Sequence, residues 1–408
     1  MILLQIDACL NWGSTGKIAE GIASAALKRG WECHMIHGSR YKNPGSLMKD
    51  YQPGSIIDEC EHYAEHILLD NDGLASRRAT QRAVAYIKKI KPDLIQLHTI
   101  HDHWLNYRIL FEYLNTLDIP IVWTQHDCWC FTGGCAYFSQ LDCAQWVTGC
   151  SSDCPYRRGM LCRSVFNHTT KHYRQKKDLF NAAKNLTIVP VSYWLEDVVR
   201  QSFLGMKPIN TILNGVDTDV FRPCEDKGEL KKYGLEKTRY VIAAATTWSK
   251  RKGLNDYVKL ASFIGDKYKI VLVGLQGKQA NQVRDKGIIA IPRTDNQHEL
   301  AVLYGLSQVV LNLSYEETFG LTSAEGFACG RPTVVYNCTA SPELVGDSNC
   351  GRVVDPGDIK GVATAIEELL QENQDVISVR CRERALNLYD KKKRFSDYVN
   401  LYEELIKK

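Results

Sequence analysis

The sequence predicts a doubly wound α/β protein with two domains. Short apolar runs alternate with longer segments of helical periodicity along the whole chain. Runs that are apolar at every position are typical of parallel strands covered by helices on both faces. The length of 408 residues exceeds what one hydrophobic core usually supports, so we expect two domains.

Nine apolar runs are predicted to be strands. They are residues 1–8, 94–98, 119–125, 186–192, 209–214, 240–246, 268–274, 309–314 and 331–337. Two strand series are separated by a predicted boundary region around residues 193–239. The last helix carries Tyr398, Leu401, Tyr402 and Leu405 on one face, so we expect that face to pack against another element.

Charge and hydropathy exclude several classes of protein. The net charge of +4 is too small for a nucleic-acid-binding footprint, but it suits an anionic small molecule or a loose contact with an anionic membrane surface. No apolar run is long enough to span a bilayer, and the chain begins with a predicted buried strand. We therefore expect a cytoplasmic protein, with peripheral association at the inner face of the cell membrane as a further option.

A glycine-rich turn, Asn-Trp-Gly-Ser-Thr-Gly-Lys at residues 11–17, follows the first predicted strand and precedes a helical pattern. A Walker loop would require glycine in place of Asn11 and Ser or Thr in place of Ile18, so that ATPase motif is excluded. Gly13 and Gly16 still allow a ligand to approach the backbone, and the first amides of the following helix favour an anion. An ordinary strand-to-helix turn is the simpler alternative.

The segment of residues 312–332 combines a strand end, an acidic loop and a helix. The helix is predicted to begin near Phe319 with Thr318 as its N-cap, and its free amides suit a diphosphate. Glu317 precedes the helix and Glu325 lies about two turns into it, so the two carboxylates cannot act on one atom. The two carboxylates suit sugar hydroxyls on either side of the phosphates. A glutamate that only starts a helix and a glutamate on a solvated face would give the same sequence pattern.

Several motifs, taken in order, resemble the landmarks of the family 4 glycosyltransferases. Residues 317–325, Glu-Thr-Phe-Gly-Leu-Thr-Ser-Ala-Glu, are similar to the family's pattern of two glutamates separated by seven residues, and Gly-Arg-Pro at 330–332 is similar to the end of its helix. The other matching segments are residues 341–345 with 355–358, and residues 214–217 with 221–223. The resemblance covers nearly the whole chain, and the ordered combination is far more specific than any single motif.

The resemblance implies the GT-B fold, in which two Rossmann-like parallel-sheet domains face each other across a cleft. Residues 1–195 would form the acceptor domain, residues 196–385 the nucleotide-sugar donor domain, and residues 386–408 a helix that crosses back. It also implies a retaining hexosyltransferase of polysaccharide biosynthesis that needs no catalytic divalent metal. The donor would be a nucleotide-diphosphate sugar and the acceptor a glycan or lipid-linked glycan. Because no carboxylate nucleophile is evident, we expect the acceptor to attack from the face that the diphosphate leaves.

The resemblance assigns roles to residues around the donor. Glu325 would hold the ribose hydroxyls and Glu317 a hydroxyl of the donor sugar. The phosphates would bind the amides of Phe319, Gly320 and Leu321. The turn that contains Gly13 and Gly16 would approach the diphosphate from the first domain.

Positive charge is needed where the diphosphate leaves, since no metal is expected there. Lys252 matches the family's lysine. The family's arginine position holds Thr247 or Trp248, so Lys250 or Arg251 is expected to supply the second charge. A solvated basic turn is the simpler alternative.

A strand-end histidine in the first domain, His126, is followed by Asp127 and resembles the family's His-Asp pair. His126 is expected to bind hydroxyls near the sugar and the acceptor, although a local hydrogen-bonded turn would also fit. His98, His101 and His103 follow another predicted strand and are assigned to the acceptor side.

Seven of the fifteen cysteines lie in residues 128–162. Reduced thiols are expected in a long chain with no recognisable signal peptide. An insertion with little regular structure needs something to order it, and a structural zinc site or free buried thiols are the alternatives. The candidate zinc ligands are Cys135, Cys143, Cys150 and Cys154.

Two other functions fit parts of the sequence. A sugar-nucleotide epimerase would share the GT-B architecture, but the pattern from Glu317 to Glu325 is that of the transferases. A zinc-stapled module that binds protein or nucleic acid would account for the cysteines and leaves the second domain unexplained.

Overall fold

The computed structural model of the protein describes residues 1–158, 164–265, 267–346 and 349–407. The chain divides into two compact units: unit 1 is Met1–Ile212 with Lys392–Lys408, and unit 2 is Leu213–Lys391. Each unit contains a six-stranded sheet in which every paired strand is parallel. The predicted α/β class is confirmed.

Unit 1 is built around a sheet with the strand order β3-β2-β1-β4-β5-β6. Its strands are β1 (Ile2–Leu10), β2 (Glu32–Lys42), β3 (Lys49–Tyr51), β4 (Leu94–Leu97), β5 (Ile121–Gln125) and β6 (Leu186–Pro190). Its helices are α1 (Gly13–Lys28), α2 (Ile56–Leu69), α3 (Arg77–Ile90), α4 (Tyr107–Leu114), α5 (Gln145–Thr148), α6 (Pro155–Arg158), α7 (Thr169–Ala182) and α8 (Tyr193–Gln201). The central strand β1 is buried from Leu3 to Leu10, as expected for an inner strand covered on both faces.

Unit 2 repeats this architecture with the strand order β12-β11-β10-β7-β8-β9. Its strands are β7 (Tyr240–Ala244), β8 (Lys269–Val273), β9 (Ile289–Ile291), β10 (Val310–Asn312), β11 (Thr333–Tyr336) and β12 (Gly351–Val354). Its helices are α9 (Leu254–Ile264), α10 (Gly277–Arg284), α11 (Gln297–Gly305), α12 (Leu321–Ala328), α13 (Ser341–Val345), α14 (Ile359–Gln371) and α15 (Gln374–Arg384). Loops at the carboxyl ends of parallel strands are the usual ligand-binding edge of such a sheet.

The last helix, α16 (Lys391–Lys407), completes the core of unit 1. Tyr398 and Tyr402 are buried together with Leu3 and Ile22 in one hydrophobic cluster. The hydroxyl of Tyr402 also donates a 2.9 Å hydrogen bond to the side chain of Gln96. The predicted apolar face of this helix is confirmed, and each buried aromatic contributes about 2–3 kcal/mol of transfer free energy.

The strand prediction for residues 209–214 is wrong. This segment runs beside β6 and makes only an isolated bridge between Ile209 and Ile188, with single hydrogen bonds from Asn210 and Ile212. Four strands, β2, β3, β9 and β12, were not predicted from the sequence. In β2 the buried positions include His34 and His37, so the strand does not read as an apolar run. None of the described helices has the length and apolarity that crossing a membrane requires.

Candidate active site

A glycine starts the helix that follows β10. Gly320 is the N-cap of α12 and has φ 98°, in the left-handed region. A Cβ there would also lie 3.0 Å from the Leu344 side chain and 3.3 Å from that of Asn312, so glycine is required. The prediction that Thr318 caps this helix is therefore wrong, because the helix begins two residues later than a Thr318 cap would allow.

The first amides of α12 are available for an anion. No side chain caps them at Gly320, and the first amides of any helix lack partners in the preceding turn. The loop between β10 and α12 is anchored by Phe319, whose buried ring packs edge-on against Tyr389 with centroids 5.6 Å apart. An anchored loop with unpaired amides and the positive end of a helix dipole suits a phosphate group.

Lys252 and Glu317 form an ion pair just before this helix. The Lys252 Nζ donates to Glu317 Oε1 over 2.5 Å, and the side chains are 21% and 13% exposed. Burial raises the pKa of Glu317, but the charge and hydrogen bond of Lys252 outweigh burial and leave that pKa below its usual value. Glu317 is therefore ionised at neutral pH.

The basic turn that carries Lys252 lies directly against the loop after β10. Gly253 has φ 69°, and a Cβ at this position would lie 2.1 Å from the carbonyl oxygen of Leu313. Two hydrogen bonds of 2.8 Å hold the turn: Tyr315 N donates to Arg251 O, and Arg251 Nη1 donates to Glu316 O. The close approach at Gly253 thus positions the lysine for its carboxylate partner.

Replacing Gly253 with alanine is expected to destabilise the protein by about 2–4 kcal/mol, because the added methyl clashes with backbone and the left-handed conformation disfavours it. Gly265→Ala is the matched control: its φ is 57°, but a Cβ there meets nothing within 4 Å. Urea unfolding should show the larger loss for Gly253→Ala. Equal losses in the two variants would mean that the contact with Leu313 contributes nothing.

The position of the family's arginine is not a cation here. Trp248 is buried, its indole N–H donates to Val273 O over 2.9 Å and its ring packs edge-on against Tyr257, so this residue belongs to the core of unit 2. Arg251 is close enough to Glu317 for its charge to lower the pKa of that carboxyl, whereas Lys250 is exposed. Of the two expected substitutes, Arg251 is the one that the structure brings next to Glu317.

Glu325 lies in the second turn of α12 and differs from Glu317 in its charge. Burial raises the pKa of Glu325 to about 8, and the nearby Tyr304 hydroxyl offsets only part of this effect. At pH 7 the carboxyl therefore keeps its proton. The two glutamates of the motif thus have opposite protonation states, which spacing alone cannot predict.

In unit 1, a hydrogen-bonded chain of three side chains reaches His126. Gln5 donates through Nε2 to Ala19 O, so its Oε1 accepts from His98 Nε2 over 2.9 Å. The other His98 nitrogen then accepts from His126 Nε2 over 3.0 Å. Burial lowers the pKa of His126 to about 4, so both rings are neutral and Nδ1 of His126 is an acceptor.

His101 lies beside this chain and is charged. Its Nε2 pairs with Asp127 over 2.8 Å and its Nδ1 with Asp102 over 3.1 Å. Burial lowers the pKa of His101, but the two carboxylates outweigh burial and raise that pKa well above its usual value. Asp127 therefore pairs with His101, and this charged imidazole lies beside the neutral rings of His98 and His126.

The glycine-rich turn of residues 11–17 is a strand-to-helix connection without a side-chain cap. Gly13 has φ 65° and open space at its Cβ position, whereas a Cβ on Gly16 would lie 3.2 Å from both Asn11 N and Cys9 Cβ. Gly13 is thus the glycine that leaves the backbone accessible, and Gly16 packs against the end of β1. Lys17 is held by Asn11, with 2.6 Å between Nζ and Oδ1.

A buried acid near this turn was missed in the sequence. Asp7 lies within β1, and burial raises its pKa to about 7, against hydrogen bonds from Thr15 and Thr99. The signal was a single carboxylate inside an otherwise apolar run. Such a group titrates in the physiological range and is typical of functional sites.

The predicted zinc ligands do not form a compact thiolate cluster. Cys135, Cys143, Cys150 and Cys154 line one cavity, but none belongs to the groups of metal-ligating atoms that lie within 4.8 Å of one another among the described residues. Burial raises the pKa of Cys150 to about 11, which favours the thiol form. Zinc at these cysteines is not supported. Cys162, which ends the predicted insertion, lies outside the described residues.

Aromatic packing orders this segment instead. Phe138 stacks on Trp146 with ring centroids 4.9 Å apart, and Phe131 lies 5.6 Å from the same indole. Lys176 is buried, donates to Trp129 O over 2.7 Å and lies 3.4 Å from the centre of the Trp129 ring. Stacking and cation–π contacts therefore order a segment for which the sequence left a structural zinc site and free buried thiols as alternatives.

Comparison with known proteins identifies the family. A sequence model described as Glycosyltransferase Family 4 matches residues 16–220, slightly more than half of the chain. The chain belongs to glycosyltransferase family 4. A second model, Glycosyl transferases group 1, matches residues 226–387 of this family 4 glycosyltransferase.

Curated relatives of this family 4 glycosyltransferase carry names of different activities. The putative colanic acid biosynthesis glycosyl transferase WcaC of Escherichia coli is 21% identical over 99% of this chain and 100% of its own. The N-acetyl-alpha-D-glucosaminyl L-malate synthase of Bacillus anthracis is 26% identical over 56% of this chain and 62% of its own. The enzyme is thus a glycosyltransferase similar to polysaccharide-biosynthesis proteins, and nothing favours an epimerase or a binding module.

Solved structures establish the fold. Sucrose-phosphate synthase of Thermosynechococcus elongatus matches with a TM-score of 0.72 at 16% identity, over 99% of each chain. Anabaena HepE, in complex with UDP-glucose, matches with a TM-score of 0.69 at 15% identity, over 99% of this chain and 100% of its own. The family 4 glycosyltransferase has the GT-B fold.

Proposed function

We propose that this glycosyltransferase moves a sugar from a nucleoside diphosphate to a hydroxyl of a glycan, with retention of configuration. The observation that carries the proposal is the start of α12, where uncapped amides follow an ionised Glu317–Lys252 pair and precede Glu325, a carboxyl whose pKa burial raises to about 8. This arrangement offers phosphate donors at the centre and carboxyls on both sides. It matches a ligand with hydroxyls at each end and a diphosphate in the middle.

The diphosphate binds the amides of Gly320 and Leu321 and the ammonium group of Lys252. A lysine has three N–H donors, and the bond to Glu317 occupies only one of them. The other donors stabilise the charge that develops on the leaving phosphate oxygen, together with the guanidinium of Arg251. Glu317 holds Lys252 in place and accepts a hydrogen bond from the donor sugar.

The family resemblance implies retention, and, given retention, the absence of an assigned carboxylate nucleophile favours attack on a single face over a covalent intermediate. Glu317 is engaged in its ion pair, and the role proposed for Glu325 is to bind the ribose hydroxyls. The acceptor oxygen therefore bonds to the anomeric carbon on the face where the bond to the phosphate breaks. The acceptor proton passes to the leaving phosphate oxygen, and the nucleoside diphosphate departs.

His126 contributes binding rather than proton abstraction. Its pKa of about 4 makes it a weak base at neutral pH. The bond to His98 fixes the proton on Nε2, so Nδ1 is the acceptor nitrogen of this ring. The positive charge of His101, which lies beside His126, attracts the hydroxyl oxygens of the acceptor.

The donor class is best tested with UDP-hexoses first, since the HepE structure holds UDP-glucose. The purified chain would be given UDP-, GDP- and ADP-hexoses with free and lipid-linked oligosaccharides, and the products analysed by mass spectrometry and NMR. A new glycosidic bond with the donor's anomeric configuration supports the proposal. Inverted product, or conversion of the sugar nucleotide in the absence of acceptor, contradicts it.

A further inference from the structure

A cavity of about 340 Å³ in unit 1 lies beside the cysteine-rich segment. Three of its lining residues converge: His66 from α2, Asp72 from the turn after α2, and His103 from the loop after β4. One ligand atom from each lies within 4.8 Å of the others. Two imidazoles and one carboxylate are a recurrent ligand set for divalent transition metals.

The two imidazoles have nitrogens without hydrogen bonds. Nδ1 of His66 and Nε2 of His103 are buried, and neither finds a hydrogen-bond partner among the residues that the structure describes. Buried polar atoms are normally paired, since leaving one unpaired costs the full desolvation of that group. The His66 and His103 rings face the same region, with centroids 5.1 Å apart. Coordination of one ion by these side chains would give the unpaired lone pairs a partner.

Asp72 has one oxygen fixed and one directed at a histidine. The Trp129 indole N–H donates to Asp72 Oδ2 over 3.3 Å, and Asp72 Oδ1 lies 3.7 Å from Nε2 of His103. That second separation is too long for a hydrogen bond. It is close to the spacing of about 3.3 Å between two ligands of a tetrahedral ion with bonds of about 2 Å. An outer partner that orients a ligating carboxylate is typical of metal sites.

A second His-Asp group shows how an ordinary structural cluster differs. In the group of Asp70, His168 and His172, Asp70 Oδ2 accepts from the His168 amide, and His172 Nε2 bonds to the Asp70 carbonyl oxygen over 2.6 Å. These bonds tie α7 to the end of α2. His172 Nδ1 is also without a hydrogen-bond partner among the described residues, but the other nitrogen of that ring is held by backbone. In the His66 group the described residues hold only Asp72, through Trp129, and the positive charge of buried Lys176 opposes a cation there.

We propose that His66, Asp72 and His103 bind one first-row divalent transition-metal ion on the wall of this cavity. Three protein ligands leave a coordination position toward the cavity for water or for an oxygen of a bound molecule. The ion would order the junction between α2 and the loop after β4. It takes no part in the transfer chemistry proposed for unit 2.

The full-length protein, treated with chelator and dialysed, would be titrated with Co²⁺ and followed by visible absorption and calorimetry. We expect one equivalent to bind, with d–d bands and no thiolate-to-cobalt charge-transfer band. His103→Ala and Asp72→Asn should each weaken binding by about 10- to 100-fold or more. His168→Gln is the matched control and should bind Co²⁺ as the unchanged protein does. Circular dichroism would verify that each variant is folded.

Three outcomes would overturn the proposal. One is the absence of stoichiometric Co²⁺ binding to the folded protein. Another is a charge-transfer band that Cys150→Ser removes, which would place the ion on the cysteines. The third is equal binding by His103→Ala and the unchanged protein. Since the readout is metal binding, these results are independent of the donor, the acceptor and transfer activity.

Discussion

Lys252→Met is expected to lower kcat by about 10²- to 10³-fold, the usual loss when one preorganised donor to a developing negative charge is removed. Methionine keeps most of the aliphatic volume and removes the ammonium group. Steady-state assays of donor consumption would measure the change. Lys267→Met is the matched control, because Lys267 forms an exposed ion pair with Glu367 in the same unit, 3.0 Å long.

A second variant separates the catalytic role of Lys252 from a structural one. Lys252→Met alone leaves the half-buried Glu317 without its counter-charge, which destabilises the protein. Adding Glu317→Gln removes the stranded charge, so unfolding measurements should show recovered stability in the double variant. Activity should stay low in both. Recovery of activity together with stability would show that Lys252 acts only by holding the loop.

Nucleoside diphosphate affinity is expected to increase with pH up to about 8 and then level off, because Glu325 must lose its proton to accept two ribose hydroxyls. In the free enzyme burial sets the pKa of Glu325 at about 8. If only the ionised form binds, the affinity gain between pH 6.5 and 8.5 is about 20-fold. Calorimetry in buffers of different ionisation enthalpy should also show proton release on binding.

Glu325→Gln should remove the part of the pH dependence that comes from Glu325. It should also weaken nucleoside diphosphate binding by about 10- to 100-fold at pH 8.5, because an amide accepts fewer hydrogen bonds from hydroxyls than a carboxylate does. Titration of the ligand's own phosphate is common to both proteins, so the difference between their pH profiles isolates Glu325. Identical profiles would remove Glu325 from the ribose site. In the free protein the raised pKa has the opposite effect: folding stability declines as pH rises from about 4.5 to about 8, since the unfolded chain releases this proton first.

The sequence predicted the central strands of the two sheets better than their edge strands. Runs such as residues 240–246 and 268–274 contain the central strands because those strands are covered on both faces. The edge strands β3 and β12 are short and partly exposed, so their residues carry no continuous apolar pattern. Residues 209–214 had the apolar composition of a strand and lacked a full set of partners.

The sequence predicted which residues form the candidate site, but it did not predict their ion pairing or their protonation states. Motif spacing selected Glu317, Glu325 and Lys252, but the pairing of Lys252 with Glu317 depends on the contact between Gly253 and Leu313, which are 60 residues apart in the chain. Burial by surrounding elements sets the charge of Glu325. The cysteine-rich segment showed the limit most clearly, because its order comes from aromatic side chains that no metal-ligand spacing reveals.

The docking of α16 into unit 1 has a consequence for biosynthesis. On the ribosome, the first 212 residues emerge long before Tyr398 and Tyr402, so the hydrophobic cluster around Leu3 and Ile22 stays incomplete until α16 has been synthesised. Unit 2, whose chain is continuous, can reach its native state earlier. A nascent chain that still lacks α16 would therefore present an open apolar groove to chaperones and proteases, and the docking of this helix is the step that closes the groove.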